Sequence, residues 1–241
     1  MKYIITTIKL VSVGLFLTTS VFAQVRDSTQ RKDAKVPDWA ALRYYQEANG
    51  QAQLNSPKEN RVVFMGNSIT EGWSRVDPEF FNQHKNYINR GISGQTTPQM
   101  LIRFRQDVIN LKPKIVVILG GTNDIAGNTG PATTDEIFGN LVSMMELAKA
   151  NRIKVIISSV LPVYDYPWKK GAEPVTRIAE LNERLKLYAK QEHIVYLDYY
   201  SAMKDDRKGL KENLSADGVH PNIAGYKIME PLLEKAIKST P

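Results

Sequence analysis

Three side chains in this sequence have the types that nucleophilic acyl transfer requires. Ser68 lies in Gly66-Asn67-Ser68-Ile69-Thr70, directly after the apolar run Arg61–Met65, which places its hydroxyl at a strand-to-helix turn. Gly66, two residues earlier, admits close backbone approach there. A serine hydroxyl is a weak nucleophile until a base takes its proton, and that base needs a third group to orient it. His220, in Asp217-Gly218-Val219-His220-Pro221, is the one histidine of three in a glycine-bearing loop with a carboxylate close by. Asp217, three residues earlier, can fold back in one turn to accept from its ring N–H. The tetrahedral intermediate of ester cleavage also needs donors aimed at its oxyanion. The candidates are the Ser68 backbone N–H, the Gly94 backbone N–H, where no side chain blocks approach, and the Asn123 carboxamide.

For these groups to meet, the elements that carry them must share an edge. Arg61–Met65, Lys114–Leu119, Lys154–Ser158 and Ile194–Leu197 are β-branched runs without polar alternation, the pattern of strands buried on both faces; Tyr87–Asn89 is a weaker fifth. Between them fall helical patterns. Thr133-Thr134-Asp135-Glu136 is a capping box ahead of Ile137, Leu141, Met144 and Leu147. Glu173–Lys190 carries Ile178, Leu181, Leu185 and Tyr188 at helical spacing, and Ile223, Tyr226, Leu233 and Ile237 share a face after Pro221, with Pro231 expected to kink or break that helix. Strand–helix alternation predicts a doubly wound α/β sandwich with a mainly parallel, five-stranded sheet. In such sheets function gathers beyond the carboxyl ends of the strands, which is where Gly66–Thr70, Arg90–Thr96 and Gly120–Asp124 fall, with Asp217–Pro221 ahead of the last helix.

Composition removes the competing chemistries. Cysteine is absent, so disulfides, thiolate metal sites, a cysteine nucleophile and a cysteine-linked lipid are all excluded. The three histidines, His84, His193 and His220, form no i,i+4 pair for a zincin helix, and the fifteen glycines make neither a dinucleotide nor a phosphate-loop fingerprint. The segment Leu10–Leu17 is an apolar run too short to span a bilayer. With Lys2 and Lys9 before it and Val21 and Ala23 after it, residues 1–23 are expected to be a secretory signal peptide cut before Gln24. Residues 24–36 then form a flexible leader and 37–241 a single domain. Losing Lys2 and Lys9 lowers the formal net charge from +7 to +5, too dilute for a nucleic-acid surface.

Gly66-Asn67-Ser68-Ile69-Thr70, Gly94 within Gly91–Thr96, Gly121-Thr122-Asn123-Asp124 and Asp217-Gly218-Val219-His220 together resemble the four sequence blocks of the SGNH, or GDSL-type, ester hydrolases, in family order from Gly66 to His220. The resemblance implies a flavodoxin-like α/β/α sandwich and acyl-ester hydrolysis without metal or cofactor. It implies Ser68 as nucleophile, His220 as base, Asp217 as its orienter, and Ser68, Gly94 and Asn123 as oxyanion donors. Asn67 departs from the family signature, which usually has Asp there; asparagine keeps the acceptor oxygen. The α/β-hydrolase elbow fails, because G-x-S-x-G needs glycine where Thr70 stands. Each residue also has a plain structural alternative: a helix cap for Ser68 or His220, a turn residue for Asp217, a turn brace for Asn123.

The remaining expectations concern the surroundings. Tyr166 and Trp168, in the loop Val163–Lys170, are expected either to line the substrate, stacking on a sugar or holding an acyl group, or to plug the loop onto the domain. Asp124 is expected to bond loop backbone, Asp198-Tyr199-Tyr200 to close the core, and His84 and His193 to be surface or satisfied residues. Asp38–Leu42 is expected to begin a helix that packs Trp39. The combined expectation is an exported serine esterase that removes a short acyl group, foremost acetyl, from a carbohydrate or related ester, with no nucleic-acid partner and no stable membrane anchor once the signal peptide is gone. The alternatives are a lysophospholipase or short-chain lipase, and a carbohydrate-binding protein that has lost turnover on the same fold.

Overall fold

The computed structural model describes residues 38–55 and 60–240, so the expected signal peptide and leader lie outside the described residues. In chain order the elements are α1 (Gln46–Asn55), β1 (Val62–Gly66), α2 (Ser68–Val76), α3 (Pro78–Gln83), β2 (Tyr87–Gly91), α4 (Thr97–Asp107), β3 (Ile115–Leu119), α5 (Thr122–Ile125), α6 (Thr134–Ala150), β4 (Lys154–Ser158), α7 (Pro174–Gln191), β5 (Val195–Leu197), α8 (Tyr199–Met203) and α9 (Ile223–Ser239). The five strands form one all-parallel sheet in the order β2-β1-β3-β4-β5. That order reverses direction between β1 and β3, and a doubly wound sheet opens its ligand crevice at such a switch point.

Pleating explains the two cores. Val63, Met65, Val116, Ile118, Val155 and Ile157 face one side, packed with Met100 and Phe104 of α4, Met144 of α6 and Leu181 of α7. Val62, Phe64, Ile115, Val117 and Ile156 face the other, packed with Trp73 of α2, Met203 of α8 and Tyr226 and Leu233 of α9. The β-branched runs are buried on both faces because helices cover both. Register then levels the functional edge: Gly66 at the end of β1 stands opposite both Gly91 of β2 and Leu119 of β3. The loops that follow these three residues therefore begin side by side.

The capping box of α6 forms as expected. The Thr133 hydroxyl accepts from the Glu136 N–H at 3.2 Å, and the Glu136 carboxylate accepts from the Thr133 N–H at 2.7 Å. Two expectations need correction. Asp38–Leu42 forms turns, because the Asp38 carboxylate accepts the N–H groups of Leu42 and Arg43 and Ala41 sits at φ 54°; the first helix waits until Gln46, and Trp39 is 50% exposed. Of the kink or break expected at Pro231, the break does not occur: α9 runs through it to Ser239. Tyr226, Met229, Leu233 and Ala236 of that helix are buried, and burial of roughly 1.5–3 kcal/mol for each large side chain outweighs the roughly 3 kcal/mol that an internal proline costs. Ile223 lies off this face and is exposed. Pro231→Ala restores one helical hydrogen bond, so we expect the urea midpoint to rise; a lowered midpoint would show that the proline ring contributes more by packing than the bond it removes.

Candidate active site

Ser68 is the first residue of α2. Asn67 caps this helix, its Oδ1 accepting the Ile69 N–H at 3.1 Å. An aspartate would make the same bond, so the asparagine preserves the turn; its buried Nδ2 is left without a protein partner. Gly66 has to be glycine: a Cβ there would stand 2.0 Å from Thr70 Oγ1 and 3.0 Å from the Leu119 carbonyl oxygen. The serine side chain is thus presented at the edge of the sheet by a turn with no room for variation.

The Ser68 Oγ lies 2.9 Å from His220 Nε2, and His220 Nδ1 lies 2.7 Å from Asp217 Oδ2. Hydroxyl, imidazole and carboxylate form one continuous hydrogen-bonded chain across 152 residues of sequence. The loop is built to hold its end in place. Asp217 Oδ1 accepts the N–H groups of Val219 at 2.9 Å and His220 at 2.8 Å, and Ser215 Oγ donates to the His220 carbonyl oxygen at 2.7 Å and accepts the Gly218 N–H at 3.0 Å. Partial burial pushes the Asp217 carboxyl up, but the backbone N–H and ring of His220 and the N–H of Val219 outweigh it and bring the carboxyl down to about 2. Asp217 is therefore an anion near neutral pH, and its Oδ2 selects the tautomer with hydrogen on Nδ1, leaving Nε2 as acceptor for the serine.

Gly94 and Asn123 reach the same edge from two other strands. Gly94 has φ 77°, a conformation that favours glycine, and Asn123 Nδ2 donates to the carbonyl of the neighbouring Gln95 at 2.9 Å. This single bond ties the loop after β2 to the start of α5. Asp124 faces the other way: its carboxylate accepts the Thr97 N–H at 2.9 Å and the Thr97 hydroxyl at 2.6 Å. Burial pushes its carboxyl up against the pull of these bonds, and it braces loop backbone.

Trp168 and Tyr166 part company. Tyr166 is completely buried, its hydroxyl bonded to the carbonyl and hydroxyl oxygens of Thr122, so the expectation that it lines the substrate is corrected: it fastens the loop to the core. Trp168 is 47% exposed and stacks beside His220, with ring centroids 6.1 Å apart. Its Nε1 donates to Asn128 Oδ1 at 3.3 Å, and Asn128 Nδ2 donates to the Gly94 carbonyl oxygen at 3.2 Å. His84 and His193 take no part. His84 bonds the Phe80 carbonyl oxygen and stacks on Tyr87 away from this edge.

Sequence reasoning missed the group beneath the site. Arg103 of α4 is fully buried: Nη2 donates to the Gly66 carbonyl oxygen at 2.8 Å, Nε to Gln95 Oε1 at 2.5 Å and Nη1 to Asp107 at 3.0 Å. Asp107 also accepts from Asn49 Nδ2 at 2.6 Å, and Asn49 Oδ1 from Arg90 at 2.7 Å. The available signal was Arg103 and Asp107 at i,i+4 between Met100, Phe104 and Val108, charges on an otherwise apolar helix face. Among the described residues no three His, Cys, Asp or Glu side chains cluster in a way that could hold a metal ion.

A doubly wound parallel sheet that carries a hydrogen-bonded serine, histidine and aspartate at its carboxyl edge is the frame of a carboxylic ester hydrolase. The chain belongs to the GDSL-like Lipase/Acylhydrolase family, which matches residues 64–228. A GDSL-like lipase from Bacteroides thetaiotaomicron is similar in structure, with 50% identity and a TM-score of 0.78 over 83% of this chain and 98% of that one. Human platelet-activating factor acetylhydrolase IB subunit alpha2 is 27% identical over 73% of this chain and 76% of its own length. An acetylxylan esterase of Xylanibacter ruminicola is 25% identical over 79% of this chain, and lipoprotein YqeF of Bacillus subtilis 38% identical over 43%. The chain spans about half the length of these last two, 46% and 49%.

Replacing Arg103 by Met leaves Asp107 buried beside a lost cation and strips the Gly66 carbonyl and Gln95 of a donor. Removing one partner of such a pair costs about 3–5 kcal/mol. Urea denaturation of Arg103→Met should show a loss of that size; a loss below about 1 kcal/mol would mean that the network is held by its neutral members.

Proposed function

We propose that the protein is an exported serine esterase that removes acetyl groups from a carbohydrate or related ester. The observation that carries the reaction is the 2.9 Å contact between Ser68 Oγ and His220 Nε2, with Asp217 bonded to the opposite ring nitrogen. Ser68 Oγ attacks the ester carbonyl carbon while its proton passes to His220 Nε2. The carbonyl oxygen becomes an oxyanion, met by the backbone N–H groups of Ser68 and Gly94 and by the second amide hydrogen of Asn123, the first being bonded to Gln95. Collapse expels the alcohol, which takes the proton from His220, and leaves acetyl on Ser68. Water then attacks the acyl-enzyme, gives its proton to His220, and acetate departs as Ser68 recovers the proton.

The choice of acetyl is supported by two relatives whose names specify acetyl release from unlike alcohols, xylan and platelet-activating factor. The half-exposed indole of Trp168 beside His220 supplies a flat face of the kind sugars stack on. Export is supported by the apolar run Leu10–Leu17 and its flanks. No helix among the described residues is long and apolar enough to cross a membrane. Mass spectrometry of the protein recovered from its host should find Gln24 at the N-terminus; a retained Met1 would remove the claim that the segment is cleaved.

Substrate class is tested by measuring kcat/KM on p-nitrophenyl esters of increasing chain length beside acetylated xylo-oligosaccharides. We expect release of acetate from both, with a fall of at least about tenfold between acetate and octanoate; equal or rising rates with chain length would identify a lipase instead. The pH profile tests the base. Because Asp217 keeps its charge down to about pH 2, its protonation should not enter the acid limb of kcat/KM above about pH 4, which should have a slope of about one in log units. A profile flat through the range, or a slope of about two, would contradict this assignment. Asn123→Ala should lower kcat by about 10²–10³.

A further inference from the structure

The cavity around the nucleophile continues away from the oxyanion donors. A groove of about 570 Å³ runs from Ser68 and His220 over Glu71, Gly72 and Arg75, and neither Gly94 nor Asn123 lines it. Ser68, Glu71, Gly72 and Arg75 are spaced i, i+3, i+4 and i+7 on α2, so one face of a single helix forms its floor. The mechanism assigns this direction to a particular part of the substrate. The carbonyl oxygen must point at Gly94 and Asn123, and the alcohol oxygen must lie within reach of His220 Nε2 to receive its proton. The group carried by that alcohol oxygen then continues on the His220 side, into the groove.

Two charged side chains line the groove, and only one is occupied. The Glu71 carboxylate accepts the Ser93 N–H at 2.9 Å through one oxygen and the Tyr44 hydroxyl through the other. Arg75 is exposed and, among the described residues, makes neither an ion pair nor a hydrogen bond. The Tyr226 hydroxyl, which shares the groove, is already bonded to the Ile69 carbonyl oxygen at 2.8 Å. At about 1.5 Å rise per residue, the Arg75 position lies about 10 Å along the helix from Ser68. Between the two, Gly72 leaves the floor without a side chain. A guanidinium pairs with a carboxylate through two parallel hydrogen bonds, a geometry that a lone ammonium does not offer.

We propose that the groove is the subsite for the alcohol part of the ester and that Arg75 receives the carboxylate of an acidic sugar, about 10 Å from the acetyl group that is removed. The substrate class is thus an acetylated acidic saccharide. This rests on the esterase reading above, and the experiment separates the two: failure of the wild type on p-nitrophenyl acetate, which has no group long enough to reach Arg75, would sink the esterase reading itself.

The measurement is kcat/KM for three alcohol parts: an acetylated xylo-oligosaccharide bearing a glucuronic acid, its neutral counterpart, and acetyl-glycerophosphocholine, whose phosphodiester offers a different anion. The wild type should favour the acidic saccharide over the neutral one, mainly through a lower KM, and added salt should erode that preference. In Arg75→Gln the ratio of acidic to neutral should fall about fivefold, the size expected of an exposed charge pair, and Arg75→Lys should restore part of it. An acidic-to-neutral ratio that is the same in wild type and Arg75→Gln would overturn the proposal. So would a preference and an Arg75 effect confined to the phosphodiester, which would assign the groove to a lipid headgroup.

Discussion

A buried guanidinium is costly unless all its sides are met, and Arg103 meets this constraint by bonding three elements at once. It bonds the last residue of β1, the loop that carries Gly94, and Asp107 on its own helix. The first two bonds tie the turn that carries Ser68 to the loop that carries Gly94, and the third extends through Asn49 to Arg90 on β2. Hydrophobic burial holds the sheet together without specifying position to a few tenths of an ångström. The directional bonds of Arg103 supply that precision directly beneath Ser68.

The same logic recurs above the sheet, with neutral groups. Asn123 bonds Gln95, and Asn128 bonds both Gly94 and Trp168, whose ring lies beside His220. The loops after β2, β3 and β4 are therefore tied to one another by side-chain amides. His220 itself is held from behind, through Asp217 and Ser215, because its loop precedes α9 and does not follow directly from a strand. The outcome is a site whose reacting groups come from distant parts of the chain but share one hydrogen-bonded frame.

How much of this could be read from residues alone follows from the range of each interaction. The strands were legible because burial on both faces leaves unbroken β-branched runs, as in Ile115–Leu119, and the α6 capping box because Thr133 and Glu136 are three residues apart. Ser68, Gly94 and Asn123 stood out because they lie in glycine-rich polar stretches at strand ends, and His220 because its glycine-bearing loop carries a carboxylate three residues earlier. Arg103 and Asn128 did not, since their partners, Gly66 and Gly94, lie 37 and 34 residues away and nothing local marks the pairing. Tyr166 misled for a related reason: an aromatic in a site loop looks the same whether its ring faces a ligand or its hydroxyl reaches Thr122. At Asp38 a local side-chain bond to Leu42 overrode the expected helix, and at Pro231 tertiary burial overrode a local rule.

In the mechanism we propose, these contacts serve a single hydroxyl, that of Ser68, activated by a single histidine, His220. The direct test is intact-protein mass spectrometry after incubation with a fluorophosphonate. The wild type should gain one phosphonyl adduct that maps to Ser68, and Ser68→Ala should gain none. An unlabelled wild type, or an adduct that persists in Ser68→Ala, would contradict the account.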